Sequence, residues 1–448
     1  MKNTFPFIPS VKESTQSSLN RDLYAQSIDL YEEKKYIQAF HTLLDCLNPD
    51  YRKKFGNNDG TEFHLPNGSI VIHIRIEQEA MLIEADFLNL PEKGRVAMLR
   101  QVADLNINKL LLPRFVKIGD RLNMEYSCRL SETHPHKIYE VLQNICYIGD
   151  KYDDEFCSKF HATRCYEPQI TAYSEETLNQ IYNAIQTLGH STLEAIKEYN
   201  GQRRYGYSWN ILKTTFFQIS YFACPQGQTS NDLDKAVDDM NEELPVAELV
   251  AKGTEFLEKL LAMPKEKILE DIYSVNMLIS PKRPSSLQNI QENFEDVYDE
   301  ATGAIQAKDF ERAAVRITCK FYEAYFYNDM QDDINAVLMK ALKEAGNKPF
   351  EEAANILYNA IDHIMEGELE PDYNIFDITD NPVAKQMMEQ ASSTAAAIQE
   401  KMTETMGTED IQAIQKKMVE AMERGDMAEY MKLAGELQQK MMSGMFNF

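Results

Sequence analysis

The sequence lacks the short motifs that mark many catalytic sites. It contains no GxGxxG, GxxxxGK[ST], HExxH or GxSxG segment. Those spacings place phosphates, a zinc ion or a nucleophilic serine at defined points of the backbone. The many carboxylates are dispersed along predicted helices, so no acid/base pair stands out. We therefore predict a protein without enzymatic activity and without a cofactor.

Long apolar runs and paired cysteines are also missing. No run approaches the roughly 18 apolar residues of a membrane-spanning helix. The seven cysteines are scattered, without a CxxC pair, which favours reduced thiols over a disulfide framework. The first ten residues contain two prolines and no continuous apolar segment, unlike a secretory signal peptide. We expect a cytoplasmic protein with no membrane insertion.

Positive charge is scarce in the C-terminal two-thirds of the chain. The whole chain has 46 Lys+Arg and 71 Asp+Glu, a net charge of −25. Residues 1–170 hold 21 basic and 24 acidic residues, which leaves 25 and 47 for the remainder. Such a field repels nucleic acid and anionic membranes. It favours solubility or basic partners, although a solvated helical surface is the simpler interpretation.

Strand periodicity is confined to Ser69–Leu130. Ile70–Ile76 and Met81–Phe87 alternate apolar and polar residues, which predicts an antiparallel hairpin. A second hairpin is predicted from about 110–118 and 122–130, joined by a Gly-Asp turn. Between the hairpins, from Pro91 to about Asn106, the sequence predicts a helix with these inward side chains: Val96, Leu99, Val102 and Ala103.

Helices are predicted on both sides of these hairpins, a pair over Asp22–Leu47 and a closing helix from Pro135. The order helix, hairpin, helix, hairpin, helix resembles the YbjN-type family, which shares the type III secretion chaperone-like fold. The resemblance covers about residues 20–160 and implies an α+β module that binds or regulates proteins, often as a dimer, so a homodimer is an expected state; it brings no catalytic residues. The matching segments are Ile70–Phe87, Leu90–Leu99, Phe115–Leu130 and Ile138–Tyr152.

The chain after residue 168 is predicted to be helical. Lys308–Ala314 recurs as Lys348–Ala354, with a weaker copy at Lys35–Ala39. The repeated turn is similar to tetratricopeptide-type helical hairpins. The first predicted helix starts at an N-terminal cap, Ser174, and ends at about residue 199. Further helices are predicted at about 209–222, 232–243, 246–262, 265–278 and 288–307. Linkers are predicted at 226–231 and 281–286.

These patterns predict an α+β fold, with an N-terminal antiparallel sheet module followed by an array of helical hairpins. We divide the chain into a flexible arm (1–19), the sheet module (20–165), an all-helical, TPR-like domain (170–370), and a linker with a Met-rich helical tail (371–448). Eleven of the 21 methionines lie between 387 and 445. Met418, Met422 and Met431 recur near one helical face, which suits either a partner-binding tail or packing against the chain's own helices.

Residues 202–209 form the densest cluster of polar and aromatic side chains. Guanidinium groups beside aromatic rings can hold a carboxylate or a peptide segment. Packing between domains is the alternative interpretation of the same cluster. The candidate partner-binding residues are Arg203, Arg204, Tyr205, Tyr207 and Trp209.

Cys157, His161 and Cys165 are spaced four residues apart. On one continuous helix they would share a face, and thiolate with imidazole suits zinc. A straight helix, however, places successive ligands on a line, and partly buried thiols explain the pattern without a metal. We predict no metal site here.

The leading functional hypothesis is a non-enzymatic, chaperone-like or adaptor protein that holds a partner protein. The edge or face of the sheet would take an extended partner segment, and the helices would supply a second surface. One alternative is a ligand-sensing or enzymatic pocket at the junction of the sheet module and the helices, near Arg203, Arg204 and Trp209. Another is a structural subunit of a multiprotein assembly that docks through the tail.

Overall fold

The chain separates into two units, Met1–Tyr373 and Asn374–Phe448. A computed structural model describes residues 2–12, 19–168, 170–275, 277–369 and 417, and the fold below is that of the first unit. Met418, Met422 and Met431 lie outside the described residues, so the predicted role of the tail stays a prediction.

An antiparallel sheet with strand order β1-β2-β3-β5-β4 forms the N-terminal half of this unit. Both predicted hairpins are present. β1 is an additional strand that lies before the stretch Ser69–Leu130, to which the strand periodicity of the sequence is confined. The strands are β1 Glu62–Asn67, β2 Ile70–Glu77, β3 Ala80–Asn89, β4 Arg114–Ile118 and β5 Arg121–Arg129, and a short β6, Thr163–Arg164, pairs with the end of β3.

Helices cover one face of this sheet. Ile70, Ile72 and Ile74 are fully buried on that face, as the alternation of β2 predicts. The helix at Pro135–Phe160 passes close to β2 at Gly149. A Cβ atom added to Gly149 would lie only 2.7 Å from Ile70 Cδ1, so a larger residue would not fit there without a shift. The helices of this module are α1 Arg21–Glu32, α2 Tyr36–Leu47, α3 Tyr51–Phe55, α4 Arg95–Asn108 and α5 Pro135–Phe160.

The predicted inward face of the middle helix is wrong in part. α4 begins at Arg95, after a left-handed Gly94, rather than at Pro91. Its buried residues are Met98, Val102 and Leu105, which lie on one face at spacings of four and three. That phase leaves Val96 exposed, together with Ala103.

The remainder of the unit is helical, so the α+β class is confirmed. Two pairs of very short strands also occur among the described residues, β7 Ile170–Ala172 with β8 Tyr273–Val275, and β9 Arg283–Pro284 with β10 Asn328–Asp329. The helices are α6 Glu175–Gly201, α7 Tyr205–Ala223, α8 Gly227–Asp239, α9 Val246–Ala262, α10 Lys265–Glu270, α11 Leu287–Gln306, α12 Phe310–Tyr327, α13 Asp332–Ala345 and α14 Phe350–Glu366.

Two predicted boundaries in the helical part are wrong, both because of distant contacts. The polar stretch 226–231 is the start of α8, whose first turn is capped by Asp271. The Asp271 carboxylate accepts hydrogen bonds from the Thr229 N–H (2.8 Å) and hydroxyl (2.6 Å). The helix predicted at 265–278 ends at Glu270, because Tyr273–Val275 pairs with Ile170–Ala172.

The recurrent sequence corresponds to helical hairpins with a common turn. A residue with positive φ occupies the turns of α1–α2, α6–α7, α11–α12 and α13–α14, and a fully buried small residue follows in the first turn of each second helix. The α6–α7 copy is hidden in the sequence because serine replaces alanine there. The turn residues are Lys34, Arg203, Lys308 and Asn347, and the small residues are Ala39, Ser208, Ala313 and Ala353.

Residues 2–12, predicted as a flexible arm, lie along these hairpins. The Thr4 N–H donates to the Lys348 carbonyl (2.9 Å), and the Val11 N–H donates to the Phe222 carbonyl (2.9 Å). Gln218 Nε2 donates to the carbonyl of Pro6 (2.7 Å). The segment therefore crosses from α14 to the end of α7.

Candidate functional site

A cleft of about 810 Å³ lies between α5 on one side and α8 and α12 on the other. The walls also include the segment 281–283, Leu111, Ser220 of α7, and Asn293 and Phe294 of α11. A volume of this size suits a small ligand or a short peptide segment. The cleft lies at the junction of the sheet module and the helices, and we take it as the candidate functional site.

Most basic side chains in the cleft are already engaged. Lys151 Nζ lies 3.4 Å from Asp234 Oδ2 and donates to the hydroxyl of Tyr147 (3.0 Å). Lys320 Nζ lies 2.9 Å from Glu323 Oε2. Lys282 Nζ donates to the backbone carbonyl of Tyr325 (2.7 Å) in the wall. Lys151 and Lys320 are therefore paired with carboxylates, whereas Lys282 is held by a neutral carbonyl and keeps its positive charge.

Asp150 is the most perturbed carboxyl group of the cleft. It projects from α5 towards the β1–β2 turn, where a Cβ atom on Gly68 would lie 2.8 Å from Asp150 Oδ1. Burial raises the pKa of Asp150 to about 6, with a further contribution from Asp153, against the opposing effects of Lys12 and Arg164. No hydrogen bond to the Asp150 carboxylate occurs among the described residues. A partly buried, unpartnered carboxyl group is available to a ligand.

Apolar side chains are exposed within the cleft. Leu111 is 68% exposed, Tyr327 is 43% exposed and Tyr147 is 37% exposed, and all three line it. Large apolar groups that gather around one concavity offer contact area to a partner or ligand. The cleft therefore combines exposed apolar side chains with the carboxyl group of Asp150.

A buried ion-pair network lies next to the cleft in α5. Asp153 is 3% exposed, and its Oδ2 accepts hydrogen bonds from Ser69 Oγ (2.5 Å) and Arg164 Nε (2.8 Å). Arg164 also donates to Asp154. Burial raises the pKa of Asp153, and the contacts with Arg164 and Ser69 oppose that rise. The network joins α5 to β6 and to the start of β2.

Both outer edges of the sheet are partly covered. On β4, Asn106 Oδ1 accepts from the Phe115 N–H (2.7 Å) and its Nδ2 donates to the Phe115 carbonyl (3.2 Å). On β1, a bridge joins Phe63 to Gly56, and Pro66 has no N–H to offer. Covered or donor-free edges resist the addition of another strand.

The predicted cluster at 202–209 comes together, but Arg204, Tyr207 and Trp209 serve contacts within the chain. The Arg204 guanidinium lies 3.8 Å from the ring centroid of Tyr207, and its Nη2 donates to Glu311 Oε2 (2.5 Å). Trp209 Nε1 donates to the carbonyl of Met240 (2.8 Å). Arg203 is exposed in the α6–α7 turn, and Tyr205 is partly exposed at the start of α7. None of the five is among the described residues that line the cleft.

We expect Arg204→Ala to lower the free energy of unfolding by about 2–3 kcal/mol, because the charged hydrogen bond and the stacking on Tyr207 are both lost. Arg203→Ala is the matched control, since Arg203 is an exposed neighbour in the same turn, and it should change stability by less than about 0.5 kcal/mol. Urea denaturation of the two variants measures the difference. Equal stability of the two variants would show that Arg204 has no structural role.

The helical arrangement considered for Cys157, His161 and Cys165 is wrong. α5 ends at Phe160, and His161 adopts a left-handed conformation as its C-cap. Cys165 therefore follows β6 and cannot share a helix face with Cys157. Within the described parts of the chain, no group of three or more His, Cys, Asp or Glu side chains is placed to hold a metal ion.

Sequence reasoning did not identify the cleft residues Leu111, Asp150, Tyr147 and Tyr327. One signal was present. Asp153 continues the buried spacing of Ile145 and Gly149 along α5, so a carboxylate falls on an apolar face. A charge at such a position requires a partner or a function, and it marks the end of α5 as unusual. The opposite wall comes mainly from α8 and α12, which lie far from α5 in the sequence, and no local pattern indicates that these elements form one cleft.

Among the helices of the described residues, none has the length and apolarity to cross a membrane. No protein-family model matches this chain, and a search of curated proteins found no significant match.

Proposed function

We propose that this protein is a non-enzymatic, chaperone-like or adaptor protein that holds a segment of a partner protein in the cleft between α5, α8 and α12. The observation that carries the proposal is the exposure of Leu111, Tyr147 and Tyr327 in one concavity. Aromatic and aliphatic side chains surrounded by polar groups are typical of protein-binding sites. The resemblance to secretion-chaperone-like modules agrees with this role and stays a prediction.

The cleft is favoured over the sheet edges as the place of binding. Strand addition needs a row of free N–H and C=O groups. Asn106 occupies those of Phe115 on β4, and Pro66 and the Gly56–Phe63 bridge interrupt β1. A partner segment would therefore be held mainly by side-chain contacts.

The charge of the cleft favours a partner segment with basic residues. Glu140, Asp150 and Asp238 line it without an ion pair among the described residues. Lys282 and Arg283 are the basic residues of the lining without such a pair among the described residues. The balance is acidic, so a segment that combines lysine or arginine with a large apolar side chain fits best.

Site-specific photo-crosslinking tests this proposal. A photoreactive phenylalanine at Tyr147 and another at Tyr327 should capture the same polypeptide in the native host. Ile118, which is 53% exposed on β4 outside the cleft, is the control position. With the captured segment as a synthetic peptide, Leu111→Asp should weaken binding by about tenfold or more.

Different products at the two cleft positions, or the same product at Ile118, would contradict the proposal. A peptide affinity that Leu111→Asp leaves unchanged would contradict it as well.

A small polar ligand is the second candidate occupant. The perturbed pKa of Asp150, next to the Lys151–Asp234 pair in a cleft of this volume, favours it. Native mass spectrometry of the purified protein separates the two candidates. A bound small molecule lost in Asp150→Asn would support a ligand-sensing role. A function as a structural subunit would depend on the tail and stays a prediction.

A further inference from the structure

We propose that His64 and His73 form a binding site for a divalent transition-metal ion on the open face of the sheet. Their Nδ1 atoms lie 2.6 Å apart, and the rings meet edge to face with centroids separated by 4.9 Å. The inference is independent of the cleft and of its proposed partner. It rests on the register of β1 and β2, on the tautomer of His73, and on the exposure of His64 to solvent.

Strand register brings the two imidazoles together. His64 of β1 lies directly opposite His73 of β2. The Ile76 N–H donates to the Thr61 carbonyl (2.8 Å), so residues 61 and 76 are a hydrogen-bonded pair. Along an antiparallel ladder, hydrogen-bonded and non-hydrogen-bonded pairs alternate. His64 and His73 therefore occupy a non-hydrogen-bonded pair, the position at which opposite side chains approach most closely.

A hydrogen-bond relay sets the tautomer of His73. Arg121 Nη1 lies 3.0 Å from Asp86 Oδ2, and the Tyr166 hydroxyl donates to the same oxygen (3.2 Å). The Tyr166 oxygen lies 3.4 Å from His73 Nε2. With its own proton directed to Asp86, Tyr166 accepts from the His73 Nε2–H. The Nδ1 lone pair of His73 then points at His64, and such relays are typical of metal-ligating histidines.

The metal would take the place of the proton between the two rings. Without metal, the His64 Nδ1–H donates to His73 Nδ1. On binding, that proton moves to Nε2 of His64, both Nδ1 lone pairs bind the ion, and no net proton is released. Two imidazoles on a tetrahedral ion hold their nitrogens roughly 3.3 Å apart, so the rings must open slightly. His64 is exposed, which gives the ion access.

Imidazole pairs select Ni²⁺, Cu²⁺ and Zn²⁺ over Mg²⁺ and Ca²⁺. Because no third ligand is placed among the described residues, water completes the coordination.

Calorimetric titration of the full chain with Ni²⁺ tests the site. We expect one equivalent to bind, and we expect His64→Asn and His73→Asn each to weaken binding by at least about tenfold. His190→Asn removes an exposed histidine of α6 and should leave the affinity unchanged. Tyr166 is a positioning residue, so Tyr166→Phe should weaken binding while the stoichiometry stays at one.

Unchanged affinity in His64→Asn or in His73→Asn would overturn the proposal, since a single imidazole or another site would then hold the ion. An equal loss in His190→Asn would overturn it too. Thermal unfolding in EDTA checks that each variant is folded. If either asparagine variant is not, the corresponding glutamine variant takes its place under the same criteria.

Discussion

Arg164→Ala should lower the free energy of unfolding by about 3–5 kcal/mol. The substitution removes the partner of Asp153, a carboxylate that is 3% exposed and lies 2.8 Å from Arg164 Nε. The Ser69 hydroxyl and the Asp154 N–H would still donate hydrogen bonds to the carboxylate, but no cation would remain to compensate its charge. Leaving a buried charge without its partner lowers stability by much more than the intact pair contributes to it. Urea denaturation at pH 7 measures the loss.

Lys35→Ala is the matched control for this experiment. Lys35 also forms an ion pair, with Glu33 at 2.6 Å, but both side chains are more than half exposed. Exposed pairs contribute little because water screens them, so we expect a change below about 0.5 kcal/mol. Similar losses in the two variants would mean that burial of Asp153 is not what makes Arg164 important.

Asp150→Asn should stabilise the protein at neutral pH by about 1–3 kcal/mol. Burial raises the pKa of Asp150 from 3.8 to about 6, a change that corresponds to at most about 3 kcal/mol. The folded state therefore binds more protons than the unfolded state between about pH 4 and pH 6. By linkage, stability falls as the pH rises through that window. Asparagine cannot ionise and avoids the fall.

The measurement is the difference in stability between Asp150→Asn and the unmodified protein from pH 4 to pH 8. The difference should be near zero at pH 4 and reach its maximum above pH 6. Asp238→Asn is the control, because Asp238 lines the same cleft but is exposed. A difference that does not change with pH, or one that Asp238→Asn reproduces, would refute the explanation.

A carboxyl group retained at a cost to stability is typical of binding sites. Asp150 has that character, and it lies in the same cleft as the exposed Leu111, Tyr147 and Tyr327. Gain of stability in Asp150→Asn together with loss of partner or ligand binding would connect the two observations. Arg204, in contrast, combines a charge with aromatic contacts that are satisfied within the chain.

The sequence by itself determined the local elements. Alternation in β2 predicts its buried face because side chains of a strand alternate sides. Ser174 predicts the start of α6, and its side chain accepts from the Thr177 N–H. The recurrence at 308–314 and 348–354 predicts two helical hairpins, since a small residue at the crossing is a local requirement. Each of these signals lies within about one turn or one strand of the chain.

The tertiary structure decided what depends on distant partners. Asp271 caps α8 from 42 positions away, and Arg204 meets Glu311 across 107 positions. No window of sequence contains both members of such a pair, so periodicity cannot reveal them. The same holds for the candidate sites. The cleft forms only between α5 on one side and α8 and α12 on the other, and the His64–His73 pair depends on the register of β1, a strand outside the stretch in which the sequence shows strand periodicity.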